Sequence, residues 1–287
     1  MQRIIDGFLY QGVRSETEWA VTRWRGNGHA ETSIRPAVIW TEVGHVDDFP
    51  PVKRPSYPLE DALKCLEKAA RRAQTMCRRV IKVEGFNQLL TITYRDNQQD
   101  RDLCKLHFKK WVERMKRALG GEFRYCAAFE RQERGAMHVH VACHKLPKHV
   151  QFKGAKIESF RLGTSIWRSI VGSDNGLVFV GGKKAKKGGK RLTRSPAKMA
   201  QYVSKYIMKD FADSPSESNR YSRSNGSPVN KPEHLRLTNC GLSEAISVAF
   251  ECFGDDVVVS HRLGDFRDSW WLCTEPSWLK KSIVIPH

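Results

Sequence analysis

Apolar residues recur along this chain with two spacings, and the changes between them delimit its elements. Leu59, Leu63, Leu66, Ala70, Ala73, Cys77 and Val80 follow the period of one helix face, as do Cys104, Phe108, Trp111, Val112, Met115 and Leu119. A shorter helix is expected near 158–171. Segments 88–95, 123–130, 137–143 and 177–181 read as strands. A further helix is predicted from Pro196 to Phe211, with Ser195 as its cap and Pro196 in its first turn. Within it Ala200, Val203, Ile207 and Phe211 form one apolar stripe that can pack on a sheet. This order predicts an α+β fold, an antiparallel sheet covered by helices.

The flanks differ in pattern. Residues 1–49 contain alternating stretches such as Ala37-Val38-Ile39-Trp40-Thr41-Glu42-Val43 and are expected to form a β-rich extension. Pro50, Pro51, Pro55 and Pro58 mark a linker, 50–58, before a catalytic domain spanning 59–212. Segment 213–232, rich in Ser, Asn and Pro, reads as a flexible loop, with Arg220-Tyr221-Ser222-Arg223 as part of a disordered connector. A C-terminal extension, 233–287, is expected to pack on the catalytic domain or be appended to it. It contains a helix-like stretch at Ser243–Phe253 and a strand at Val257–Ser260. Trp270, Trp271 and Trp278 fit either a core or a stacking surface.

The candidate chemistry lies in two of these elements. On a strand, His138 and His140 share one face while Met137, Val139 and Val141 point to the other, apolar one. A hairpin turn at Gly135 would bring Glu130, at the end of the preceding strand, back beside the two imidazoles. Two imidazoles and a carboxylate can hold a divalent cation; a pair of half-exposed structural histidines is the alternative. On the helix from Pro196, Tyr202, Lys205, Tyr206 and Lys209 occupy a second arc, each tyrosine followed three residues later by a lysine. That arc suits either an amphipathic edge helix or a tyrosine nucleophile with a cation beside it.

Together these motifs resemble the HUH endonucleases, the rolling-circle replication initiators of plasmids and single-stranded DNA phages and their relatives. Leu89-Leu90-Thr91-Ile92-Thr93-Tyr94 looks like the first motif, Glu130 with Gly135-Ala136-Met137-His138-Val139-His140 like the metal motif, and Tyr202 to Lys209 like the tyrosine motif. Two tyrosines four residues apart are most similar to the phage type. The resemblance implies a central five-stranded antiparallel sheet with the histidines on a middle strand. It also implies a metal-assisted nick of single-stranded DNA at an origin through a 5'-phosphotyrosine. His138, His140 and Glu130 would then hold manganese or magnesium, although the ligand types alone also admit zinc. Tyr206 and Tyr202 would be the nucleophiles, Tyr206 first, with Lys209 and Lys205 as their cations. In the family the third ligand is acidic or polar at variable spacing, so Glu130 is preferred to Glu133 only by its strand position. A transposase or conjugative relaxase would use the same chemistry, and a non-catalytic basic DNA-binding protein would not use it at all.

Charge agrees with a polyanionic substrate. The 287 residues carry 49 Lys and Arg against 31 Asp and Glu, a net charge of +18. The densest group is Lys183, Lys184, Lys186, Lys187, Lys190, Arg191 and Arg194, interleaved with glycines just before the tyrosine helix, where a basic loop could contact DNA phosphates. Arg71, Arg72, Arg78 and Arg79 form a second group on a helix, a DNA-facing or solvated surface. The eight cysteines form no Cys-x-x-Cys pair and read as reduced thiols, and Cys143-His144 is a decoy as a ligand pair. No signal peptide or run of about 20 apolar residues is present, so the expected location is the bacterial host cytoplasm. The sequence contains no phosphate-binding Gly-rich loop ending in Gly-Lys-Ser/Thr, so a host helicase is expected as a partner alongside a polymerase.

Overall fold

Alternating segments pair into sheets and helical-period segments cover them in the computed structural model. It describes residues 1–48, 59–181, 195–209, 219–226, 228–251, 253, 257–264 and 268–281. In chain order the elements are β1 (Gln2–Ile5), β2 (Phe8–Gly26), β3 (His29–His45), α1 (Leu59–Glu84), β4 (Gln88–Thr93), α2 (Arg101–Ala118), β5 (Tyr125–Arg131) and β6 (Met137–Cys143). Then follow β7 (His149–Phe152), β8 (Ala155–Glu158), α3 (Ser159–Val171), β9 (Leu177–Gly181), α4 (Pro196–Lys209) and β10 (Tyr221–Arg223). The last are β11 (Glu233–Leu237), α5 (Leu242–Glu251), β12 (Val257–Leu263), β13 (Trp270–Glu275) and α6 (Trp278–Lys281). They divide into two compact units, Ala62–Val229 and Met1–Asp61 with Asn230–His287.

The unit Ala62–Val229 is built on a five-stranded sheet of order β10-β5-β6-β4-β9, with every neighbouring pair antiparallel. Strand β6 is the middle one, and all seven of its residues are buried. The two-residue alternation sends its side chains into two different cores. Met137, Val139 and Val141 join Ile92 and Phe129 against Phe108, Trp111 and Met115 of α2 and Leu162, Ile166 and Trp167 of α3. On the opposite face Ala128, Cys126 and Ala142 meet Ala70, Cys77 and Ile81 of α1 and Met199, Ala200, Val203 and Ile207 of α4. Trp111 is fully buried, and its indole N–H donates to the Gly163 carbonyl at 2.9 Å. Its truncation to Ala is expected to cost about 3–5 kcal/mol.

Local signals set the ends of these helices. Asp100 caps α2 by accepting from the backbone N–H groups of Asp102 and Leu103. Ser195 opens α4, its carbonyl accepting from Met199 N–H at 2.9 Å and its hydroxyl from Lys198 N–H at 3.4 Å.

The fifth strand departs from the sequence expectation. Tyr221–Arg223, read as disordered connector within 213–232, is the edge strand β10, paired residue for residue with Ala128, Ala127 and Cys126. Three residues amid Ser, Asn and Pro carry no periodicity of their own, and β5 supplies the ladder that orders them. The Ser224 hydroxyl then accepts from Tyr125 N–H at 3.0 Å.

The other unit joins the two ends of the chain. Its sheet runs β1-β2-β3-β13-β12, with β11 also paired to β2. Trp19, Val21, Ile34, Trp270 and Leu272 pack there with Ala245 and Ala249 of α5. Residues 1–49 and 233–287, read as two separate extensions, thus share one sheet, because β13 pairs directly with β3. Trp270 belongs to this core, whereas Trp278 is 57% exposed. No helix among the described residues is long and apolar enough to cross a membrane.

Candidate metal and tyrosine site

The hairpin between β5 and β6 brings the acidic and imidazole groups together. Gly135 turns the chain with φ of 90°, a left-handed conformation that glycine adopts without strain, and its N–H donates to the Gln132 carbonyl at 2.8 Å. The resulting register sets Glu130 opposite His138 and Ala128 opposite His140. Glu130, His138 and His140 therefore project from one face, and each offers a ligand atom within 4.8 Å of the others. All three are buried, at 6%, 9% and 4% exposure. Glu133 lies exposed in the turn, so register separates it from the cluster. Cys143 points into the opposite core, away from the histidines.

Hydrogen bonds orient the set. His140 Nε2 is 2.8 Å from Glu130 Oε2, and the Lys209 ammonium donates to Glu130 Oε1 at 2.5 Å. Thr91 Oγ1 stands 3.4 Å from His140 Nδ1 on the neighbouring strand. Burial, helped by the charges of His140 and Arg134 and opposed by Glu130, pushes the His138 pKa down to about 4. Its imidazole is thus neutral at pH 7, with a lone pair free to bind a cation. Burial pushes the Glu130 carboxyl upward, but hydrogen bonds and charge from His140 and Lys209 outweigh it and leave the pKa lowered. A neutral imidazole, a second imidazole and an ionised carboxylate at this separation fit a divalent cation without rearrangement of the backbone.

Helix α4 packs over β5 and β6 and lays its tyrosines on this cluster. The Tyr206 ring stacks on the His140 imidazole, with centroids 3.7 Å apart and planes 5° from parallel. Tyr202 meets His140 edge-on at 6.3 Å and Tyr206 at 5.5 Å. The Lys205 ammonium stands over both phenols, 4.5 Å from the Tyr202 centroid and 4.8 Å from that of Tyr206. Tyr206 is buried and Tyr202 half-buried. The two motifs, more than 50 residues apart in sequence, therefore occupy one place in the fold.

Other expected groups lie elsewhere. Lys183, Lys184, Lys186, Lys187, Lys190, Arg191 and Arg194 lie outside the described residues, as does Phe211. Arg71, Arg72, Arg78 and Arg79 are on α1, with Arg71 paired to Glu67. The described cysteines are free, and the Cys77 and Cys126 sulfurs are 3.5 Å apart. The role of Thr91 on His140 was missed in the sequence, although the alternation of Leu90-Thr91-Ile92-Thr93 already put both threonines on one face. Charge divides sharply between the units: residues 62–229 carry 36 Lys and Arg against 14 Asp and Glu, and the remainder 13 against 17.

Residues 87–211 match the model of a family described as replication-associated proteins of the ORF2 and gene II protein type. The matched span runs from the start of β4 past the end of α4 and includes the three clustered residues and both tyrosines. No curated protein and no solved structure matches the chain. The matched segment is thus similar to replication-associated proteins, and DNA replication is the process this similarity supports.

Proposed function

We propose that the protein initiates rolling-circle replication by nicking single-stranded DNA at an origin and holding the new 5' end as a phosphotyrosine. The observation that carries this reading is the stacking of both α4 tyrosines around His140 within the Glu130–His138–His140 cluster. The basic excess of residues 62–229 supplies the attraction for a polyanion. The replication-associated match favours an initiator over a transposase or relaxase with the same chemistry.

His138, His140 and Glu130 would hold the divalent cation, manganese or magnesium, which supplies Lewis-acid polarisation of a non-bridging oxygen of the scissile phosphate. The chain's own residues do the rest. The plane of the Tyr206 ring lies one ring thickness from that of the His140 imidazole, so its hydroxyl approaches a phosphate seated at the cluster from the α4 side. The phenol oxygen bonds to phosphorus as the phosphorus–O3' bond breaks, and the phenolic proton ends on the departing 3'-hydroxyl. Lys205, placed over both rings, opposes the negative charge that grows on the phenol as its proton leaves. Lys209 balances the Glu130 carboxylate and keeps it ordered.

Because the phosphodiester bond energy is kept in the tyrosine ester, the same site can rejoin strands. Tyr202, one turn away, would carry out the second cleavage that closes a round. The 3'-hydroxyl is left as a primer for a host polymerase, and strand separation falls to a host helicase. Incubation with manganese and a pool of single-stranded oligonucleotides tests the proposal: a band surviving denaturation is expected for the wild type. Its absence, or its persistence when Tyr202→Phe and Tyr206→Phe are combined, contradicts it.

A further inference from the structure

The half of the catalytic face beyond the histidines is open, and it carries two large apolar side chains. Leu177 and Phe179 on β9 are 40% and 52% exposed. Their neighbours Val178 and Val180 turn into the helical core, so Leu177 and Phe179 share the opposite face, that of the metal cluster. Register makes the alignment explicit. One row runs Glu130, His138, Thr93, Leu177, and the next runs Ala128, His140, Thr91, Phe179. Half-buried Thr91 and Thr93 thus floor a strip leading from the histidines to the sheet edge.

An exposed phenylalanine on an edge strand is an unusual choice, since edges are commonly blunted with charge. We propose that Phe179, supported by Leu177, is a stacking platform for a base of the single strand beside the scissile phosphate. This rests on the nicking reading for the position of that phosphate. Phe179 lies two inter-strand spacings, about 10 Å, from His140, so the base it receives belongs to a nucleotide close to the cut. Every base has a π-face, and aromatic platforms beside a basic surface are a common way to hold single strands. The charge of residues 62–229 favours a nucleic acid over a protein strand as the occupant.

A groove of about 930 Å³ continues past this edge, lined by Phe160, Arg161, Arg168, Leu177 and Phe179 among others. Arg161 is paired with Glu158, and Arg168 donates to the Gly176 carbonyl, so stacking rather than phosphate charge is the main recognition there.

The test couples the side chain to the base. Wild type, Phe179→Ala and Phe179→Trp are titrated with single-stranded oligonucleotides carrying one abasic site at each position in turn. Binding is read by fluorescence anisotropy and cleavage by covalent adduct. Phe179→Ala is expected to weaken binding about 5- to 150-fold, and Phe179→Trp to retain it. An abasic site at one position near the cut should weaken the wild type equally and Phe179→Ala no further. Affinity unchanged in Phe179→Ala, or losses that add at every position, overturns the platform. Adduct formation that ignores Phe179 removes the platform and leaves the nicking reading; Phe179-dependent binding without any adduct does the reverse.

Discussion

His140 and Tyr206 lie face to face, 3.7 Å apart and 5° from parallel, although one belongs to the central strand and the other to a helix that follows it by more than 50 residues. The contact brings an imidazole that can bind a cation against a phenol that can attack phosphorus. It makes specific demands on the residues around it.

Lys205 is expected to act on the nucleophiles alone. Lys205→Ala should slow adduct formation about 100-fold by removing the cation over both phenols. Manganese affinity, measured by isothermal titration calorimetry, should not change. A parallel loss of metal binding would assign the lysine to folding of the site instead.

Thr91 touches His140 but offers no ligand atom to the cluster. Thr91→Val keeps the shape of the side chain and removes the hydroxyl that faces Nδ1. A manganese affinity lower by about 10-fold is expected, the low end of what outer partners of metal ligands contribute. Equal affinities in the two proteins would show that Thr91 only packs.

His138 gives the metal-free protein a pH-dependent stability. Its pKa is about 4 in the fold, held down by burial first, against about 6.5 in an unfolded chain. Between these values the unfolded chain binds a proton that the folded chain refuses. Stability therefore falls as pH drops from about 6.5 to 4 and is flat with respect to this group above 6.5. Urea titrations in a chelator should show this slope for the wild type and a smaller one for His138→Gln.

Gly176 fixes the turn into β9 and with it the position of the proposed platform. Its φ is +109°, and a Cβ there would collide with the Thr93 carbonyl oxygen, a backbone atom that cannot step aside. Gly176→Ala is expected to cost at least about 1–3 kcal/mol, read as a lower denaturation midpoint. It should also weaken oligonucleotide binding by disturbing the pairing of Leu177 with Thr93.

Much of this site could be read in the sequence because its signals are local. The alternation in Met137–Val141 fixed which residues share the face of His138 and His140, and Gly135 marked the hairpin that returns Glu130. Helical spacing put Tyr202, Lys205, Tyr206 and Lys209 on one arc. What the sequence hid depends on partners far along the chain. Tyr221–Arg223 is a strand only because β5 offers it a ladder, and the first and last segments form one sheet only through the pairing of β3 with β13. Phe179 looked like any strand residue until the register put it in line with His140.

The central claim, a tyrosine of α4 acting at the histidine cluster, is tested most directly by mass spectrometry of the covalent product. A suicide oligonucleotide, single-stranded and cut so that the 3' fragment is released, is incubated with the protein and manganese, and the protease-digested adduct is sequenced. The account predicts a nucleotide attached through its 5'-phosphate to Tyr206 or Tyr202, and no adduct from protein carrying both His138→Gln and His140→Gln. A phosphate link to any residue outside α4, or an adduct that forms as well without the histidines, would contradict it.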